Sequence, residues 1–87
     1  MKIRLLYRDE KTIGVWLERY GVEERKGIRS VSGRKWLANE NVWTIPYTIA
    51  AVERLFDAYR DCTIECDQRV SKEMLFIQEK LGQMSAQ

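Results

Sequence analysis

Gly33-Arg34-Lys35-Trp36-Leu37-Ala38-Asn39-Glu40-Asn41-Val42-Trp43-Thr44-Ile45-Pro46-Tyr47-Thr48 holds two tryptophans seven residues apart, and its punctuation orders the chain around it. Gly33 to Lys35 read as a basic loop, and Asn39-Glu40-Asn41 as a tight polar turn. Val42 to Ile45 then form a short strand. Pro46, the only proline, stops it, because proline has no N–H to donate to a ladder. Thr48 is placed to cap a helix.

On the C-terminal side, Ile49, Val52, Leu55, Phe56 and Tyr59 recur at helical spacing and predict one amphipathic helix running through Arg60. Thr63, Ile64 and the flanking cysteines suggest a short strand. Ser71 is a suitable cap for a last helix with Met74, Ile77 and Leu81 on one side and Gly82 at its end. Phe76 lies off that stripe, which points to a contact beyond the domain.

On the N-terminal side, residues 2–7 and 12–18 are rich in β-branched and aromatic residues, and Arg8-Asp9-Glu10-Lys11 between them suits a hairpin turn. Ile13, Val15 and Leu17 take one face of the second strand, and Trp16 goes with Glu18 on the other. That leaves Trp16 half exposed or packed against a helix, the commoner fate of such an indole. After Gly21, residues 22–31 predict a short helix with Ile28 and Val31 inward. Gly27 inside it costs about 1 kcal/mol relative to alanine, so packing must hold this helix. The expected order is β-β-α-β-α-β-α: an α+β fold with one small sheet against helices, a single domain over residues 1–82 and a flexible tail over 83–87.

An 87-residue chain makes one domain. No apolar run approaches the roughly 20 residues that span a bilayer, so no membrane partner is expected. Charges interrupt the apolar residues of the N-terminus as they would not in a signal peptide, and a cytoplasmic location is the expectation. The net charge of +2 is unevenly spread: residues 1–52 hold ten basic and six acidic side chains, residues 53–87 five and seven. Residues 25–39 carry Arg25, Lys26, Arg29, Arg34 and Lys35 without an acid, a cluster suited to phosphates or simply to a solvated face.

There is no histidine and only one cysteine pair, Cys62 and Cys66, so a structural zinc site lacks ligands and no metal or other cofactor is expected. On a strand the two thiols would share a face about 13 Å apart at about 3.3 Å per residue, too far for a disulfide. They read as buried, reduced, structural cysteines. No nucleophile–base pair can be assembled, so no enzyme is expected. Glu53, Asp57 and Asp61, spaced by four, would put three carboxylates on one helix face; an exposed acidic stripe is the simpler reading than a paired-carboxylate hydrolase.

The segment from Gly33-Arg34-Lys35-Trp36 to Trp43-Thr44-Ile45-Pro46-Tyr47-Thr48 resembles two families that work on DNA. One is the N-terminal region of tyrosine recombinases (integrases) of mobile elements. The other is the HARP domain of annealing helicases. The likeness is specific over residues 33–48 and looser over 2–66. It departs in the helix before the Gly-Arg run, whose apolar repeat is weaker here than in the families. The histidines and catalytic domain of a recombinase are absent from the sequence, as is the phosphate loop of a helicase motor. The resemblance therefore implies an accessory, non-catalytic DNA-binding module, active in DNA recombination, as a natural small protein or as a piece of a longer one.

Its expected partners are DNA, whether duplex, junction or single-stranded, and a recombinase, helicase or other protein. Arg25, Lys26, Arg29, Arg34 and Lys35 are the expected phosphate contacts, with Arg29, Arg34 and Lys35 the foremost. Trp36 and Trp43 either stack on bases or close a small core. The alternative is a protein–protein interaction module, or a small mobile-element inhibitor, docking through a sheet edge or through Phe76 on the last helix.

Overall fold

The computed structural model describes residues 1–19 and 21–85, without the side chains of residues 84 and 85. Strands β1 (Lys2–Asp9) and β2 (Thr12–Leu17) form the expected antiparallel hairpin, in the register Ile3↔Leu17, Leu5↔Val15 and Tyr7↔Ile13. On the far side of β2 lies β4 (Val42–Pro46), which in turn carries the short edge strand β3 (Lys35–Leu37). β5 (Thr63–Cys66) runs parallel to β1, so the sheet order is β3-β4-β2-β1-β5. Among the described residues four helices complete the α+β fold: α1 (Val22–Arg29), α2 (Ile49–Ala58), α3 (Gln68–Glu73) and α4 (Leu75–Ser85).

Residues paired across a sheet share a face, so the register builds the core row by row. Leu5, Val15, Trp43 and Trp36 form one row across four strands, and Tyr7, Ile13 and Ile45 form the next. The same face buries Ile3 and Leu17 in a cluster with Ile28, Val52, Leu55, Phe56, Val70, Met74 and Ile77 of the helical layer. Each aliphatic side chain fully buried there contributes about 1.5–3 kcal/mol. The opposite face bears Arg4 beside Trp16, and Leu6, Gly14, Thr44 and Lys35 in line. Trp16 is thus half-buried on the face away from the helices and does not pack against one. Across this face Arg8 passes over Gly14 and forms a two-pronged bond to Glu40 at 2.6 and 3.1 Å. The Arg8 guanidinium holds the Glu40 carboxyl below its ordinary value.

Thr48 caps α2 as expected, accepting from the Ala51 N–H at 3.1 Å. The helix ends at Ala58, short of Arg60. Tyr59 turns inward at its end and meets α1 at Gly27, where the chain needs glycine for closeness: a Cβ there would lie 2.6 Å from the Tyr59 ring. The Tyr59 hydroxyl donates to the Glu24 carbonyl at 2.6 Å and accepts from the Ile28 N–H at 2.9 Å, the two groups that an i→i−4 bond would join. Packing does hold α1, as its weak helix propensity requires.

Three local expectations change. Lys35 to Leu37 are not loop but strand, paired with Val42 to Thr44 through a turn in which Asn41 has φ 56°; the pairing is decided by the partner strand and not by three residues' own propensity. The last helix is two: Asp67, not Ser71, caps α3, accepting from the Val70 N–H at 2.8 Å, while Ser71 lies inside it. Asp67 wins because β1 fixes it, its N–H donating to the Leu5 carbonyl at 3.0 Å and its other carboxylate oxygen accepting from the Tyr7 N–H at 2.8 Å. The chain breaks at buried Met74, and α4 continues past Gly82 to Ser85. Residues 86 and 87 of the expected tail lie outside the described residues. Phe76 is partly buried against the core, and the exposed apolar side chain there is Leu75.

Candidate nucleic-acid interface

The helical layer stops short of the β3 edge, and a cleft of about 360 Å³ opens there, lined by Arg25, Arg29, Trp36, Asn41 and Trp43. Two local rules supply its walls. Arg25 and Arg29 are four apart on α1 and so project from the same side of the helix. Trp36 and Trp43 are direct cross-strand partners, which places their rings 5.2 Å apart at an interplanar angle of 53°. That tilted geometry is a favoured aromatic contact. Trp43 packs partly into the core, whereas Trp36 is 42% exposed at the rim. Trp43 thus helps to close the core, and Trp36 keeps an accessible surface.

The cleft is cationic and carries unmet hydrogen-bonding capacity. Neither Arg25 nor Arg29 has an ion-pair partner within 4 Å among the described residues. Trp43 Nε1 and Arg25 Nε are sealed from solvent and have no hydrogen-bond acceptor among the described residues. A buried donor left unpaired costs about 1–3 kcal/mol, and such groups are few in folded proteins.

Four of the seven expected contact residues, Arg25, Arg29, Trp36 and Trp43, thus come together. The other three do not join them. Lys26 pairs with Glu23 at 3.1 Å on the exposed side of α1. Arg34 follows Gly33, whose φ of 82° turns the chain, and its guanidinium lies 3.5 Å from the Val31 carbonyl, outside the cleft lining. Lys35 precedes Trp36 on a strand, so strand alternation sends it to the opposite face of the sheet. The basic cluster of the sequence is therefore divided between elements, with α1 and not the Gly-Arg loop facing the indoles. Asn41 belongs to the cleft as well; its place in the turn between the two tryptophans was visible, its orientation was not.

Elsewhere the chemistry is plainer. Glu53 and Asp57 are exposed and pair with Lys80 at 3.8 Å and Arg60 at 4.0 Å. Asp61 lies beyond the end of α2, so the three carboxylates do not share a helix face. Both cysteines are free and half-buried, not fully buried, and Cys62 precedes the strand that holds Cys66. Burial, with a smaller contribution from Asp67, pushes the Cys66 thiol up to about 11. Among the described residues no group of three Cys, Asp or Glu side chains is placed to hold a metal ion, and no helix is long and apolar enough to cross a membrane. Comparison with protein-family models, with curated proteins and with solved structures gives no match.

Proposed function

We propose that this protein is an accessory, non-catalytic DNA-binding module that meets nucleic acid through the end of the fold formed by α1 and the β3–β4 hairpin. The observation that carries the reading is the convergence of Arg25, Arg29, Trp36 and Trp43 on one cleft. Guanidinium groups neutralise phosphates, and an exposed indole stacks on a base or sugar. The likeness of residues 33–48 to integrase N-terminal regions and HARP domains supports the same chemistry, and with it a cytoplasmic role beside a larger recombinase or helicase. A module with few cations binds weakly by itself and gains from tethering to a partner that holds the same DNA.

The test is fluorescence anisotropy of labelled single-stranded, duplex and forked DNA at about 50 and 200 mM salt. With roughly two to four phosphate contacts, affinity should fall about 10- to 100-fold across that range. Arg25→Glu/Arg29→Glu should abolish binding, while Lys26→Glu, made at an exposed ion-paired site, should weaken it only slightly. Absence of binding at low salt would turn attention to the rival reading, a protein-docking module, for which exposed Leu75 on α4 replaces Phe76 as the candidate contact.

A further inference from the structure

We infer that the Arg8–Glu40 ion pair, on the open face of the sheet, sets the shape of the cleft on the opposite face, so that both are positioning residues for it; the effect on DNA rests on the nucleic-acid reading. The backbone ladder shows where support is needed. β3 is a three-residue strand at the sheet edge, and the register that joins β4 to β2 ends at Val15↔Trp43. The Leu37↔Val42 pair and the turn at 38–41 lie beyond that last rung. Asn41 of this turn and Trp36 of β3 nevertheless supply two of the five residues that line the cleft.

Arg8 ties this end of the hairpin to β1, 32 residues away in sequence. Its stem crosses β2 at Gly14, where a Cβ would stand 3.4 Å from Arg8 Cδ and 3.3 Å from Leu6 Cβ, so a larger side chain would obstruct the path. The guanidinium then donates to both Glu40 oxygens, at 2.6 and 3.1 Å. Two parallel bonds fix the direction of a carboxylate as well as its distance. The Glu40 N–H donates to the Leu37 carbonyl at 3.1 Å, which closes the turn on β3, and the next residue, Asn41, takes the left-handed φ of 56° from which its side chain reaches the cleft. Glu40 held on one face thus orients Asn41 on the other. Neither Arg8 nor Glu40 lines the cleft, so each acts through the hairpin and not by contact.

Charge and position predict opposite signs. Removing a carboxylate beside a cationic cleft should strengthen phosphate binding if only the field matters, whereas loss of the tie should weaken it. The experiment uses the full chain carrying Trp16→Phe, which leaves Trp36 and Trp43 as the only indoles. Their rings, 5.2 Å apart and tilted by 53°, couple to give a paired positive and negative band in circular dichroism whose size follows their separation and angle. Glu40→Gln and Arg8→Gln should each shrink that couplet and each weaken binding of labelled single-stranded DNA at low salt about two- to fivefold, the range open to a partly exposed ion pair. The double variant should be no worse than either single one, and the exchange Arg8→Glu/Glu40→Arg should restore couplet and affinity together. A couplet unchanged in both single variants would overturn the inference whatever the DNA result. So would tighter binding by Glu40→Gln, which leaves the DNA-binding proposal standing. A parent chain that binds no DNA would remove the nucleic-acid reading, and the couplet alone would then uphold or overturn the tie.

Discussion

Replacing Gly27 by alanine should destabilise the protein even though alanine is the better helix former. The added Cβ would stand 2.6 Å from Cζ, 2.8 Å from Cε2 and 2.9 Å from the hydroxyl oxygen of buried Tyr59. Non-bonded carbons prefer about 3.5–4.0 Å, so the ring must retreat by about 1 Å. That retreat carries the hydroxyl out of range of both the Glu24 carbonyl and the Ile28 N–H, now at 2.6 and 2.9 Å. Two hydrogen bonds at about 0.5–1.5 kcal/mol each and about 1–3 kcal/mol of overpacking, less about 1 kcal/mol of helix propensity, give a net loss of about 1–5 kcal/mol. For a domain of this size that lowers Tm by about 4–8 °C for each kcal/mol lost.

Urea unfolding followed by far-ultraviolet circular dichroism measures the loss. The same substitution in a Tyr59→Leu background, which lacks the three offending atoms, isolates its cause: there it should be neutral or stabilising by up to about 1 kcal/mol. A stabilising Gly27→Ala in the parent chain, or an equal cost in both backgrounds, would refute the steric account. Since α1 carries Arg25 and Arg29, the parent-background variant should also weaken DNA binding, through displacement of the helix and without touching a contact residue.

Other expectations follow from single contacts. Asp67→Ala removes the α3 cap and the acceptor for the Tyr7 N–H together, and should cost about 1–3 kcal/mol in urea unfolding, whereas Ser71→Ala should be within about 0.5 kcal/mol of the parent. Glu40 has its folded carboxyl lowered by Arg8, so its contribution is present above the ordinary glutamate value of 4.5 and is lost as pH falls through the folded value; Glu40→Gln should flatten the acid limb of a stability-versus-pH curve. The Cys66 thiol, raised from 9.0 to about 11, should hold about a hundredfold less thiolate at pH 8 than in the unfolded chain, and iodoacetamide labelling of a Cys62→Ser variant with and without urea measures that ratio. Its stabilising effect is present below about pH 9 and fades as pH rises toward 11.

What could be read from the sequence was governed by local rules. β-Branched and aromatic richness in residues 2–7 and 12–18 around a polar turn gave the hairpin, alternation gave the shared face of Ile13, Val15 and Leu17, the apolar stripe from Ile49 gave α2, and Thr48 gave its cap, because propensity, period and capping act within a few residues. The two arginines of the cleft were legible as a basic cluster, and the two tryptophans as a recurring rare residue. Which members of that cluster face the indoles was not legible. Lys35 and Trp36 are neighbours in sequence yet lie on opposite faces of the sheet, and that follows only once β3 is known to pair with β4.

The chain by itself therefore determined the hairpin, α2, β4 and β5, the α+β class and the inward face of β2, since propensity and periodicity are properties of contiguous residues. Tertiary structure alone decided the rest. β1 chose Asp67 over Ser71 as a cap, Tyr59 chose glycine at position 27, and the β3–β4 register set Trp36 against Trp43 beneath Arg25 and Arg29. The first two depend on partners distant in sequence, 60 residues away for Asp67 and Tyr7 and 31 for Tyr59 and Ile28, and no local pattern encodes which partner the folded chain will supply.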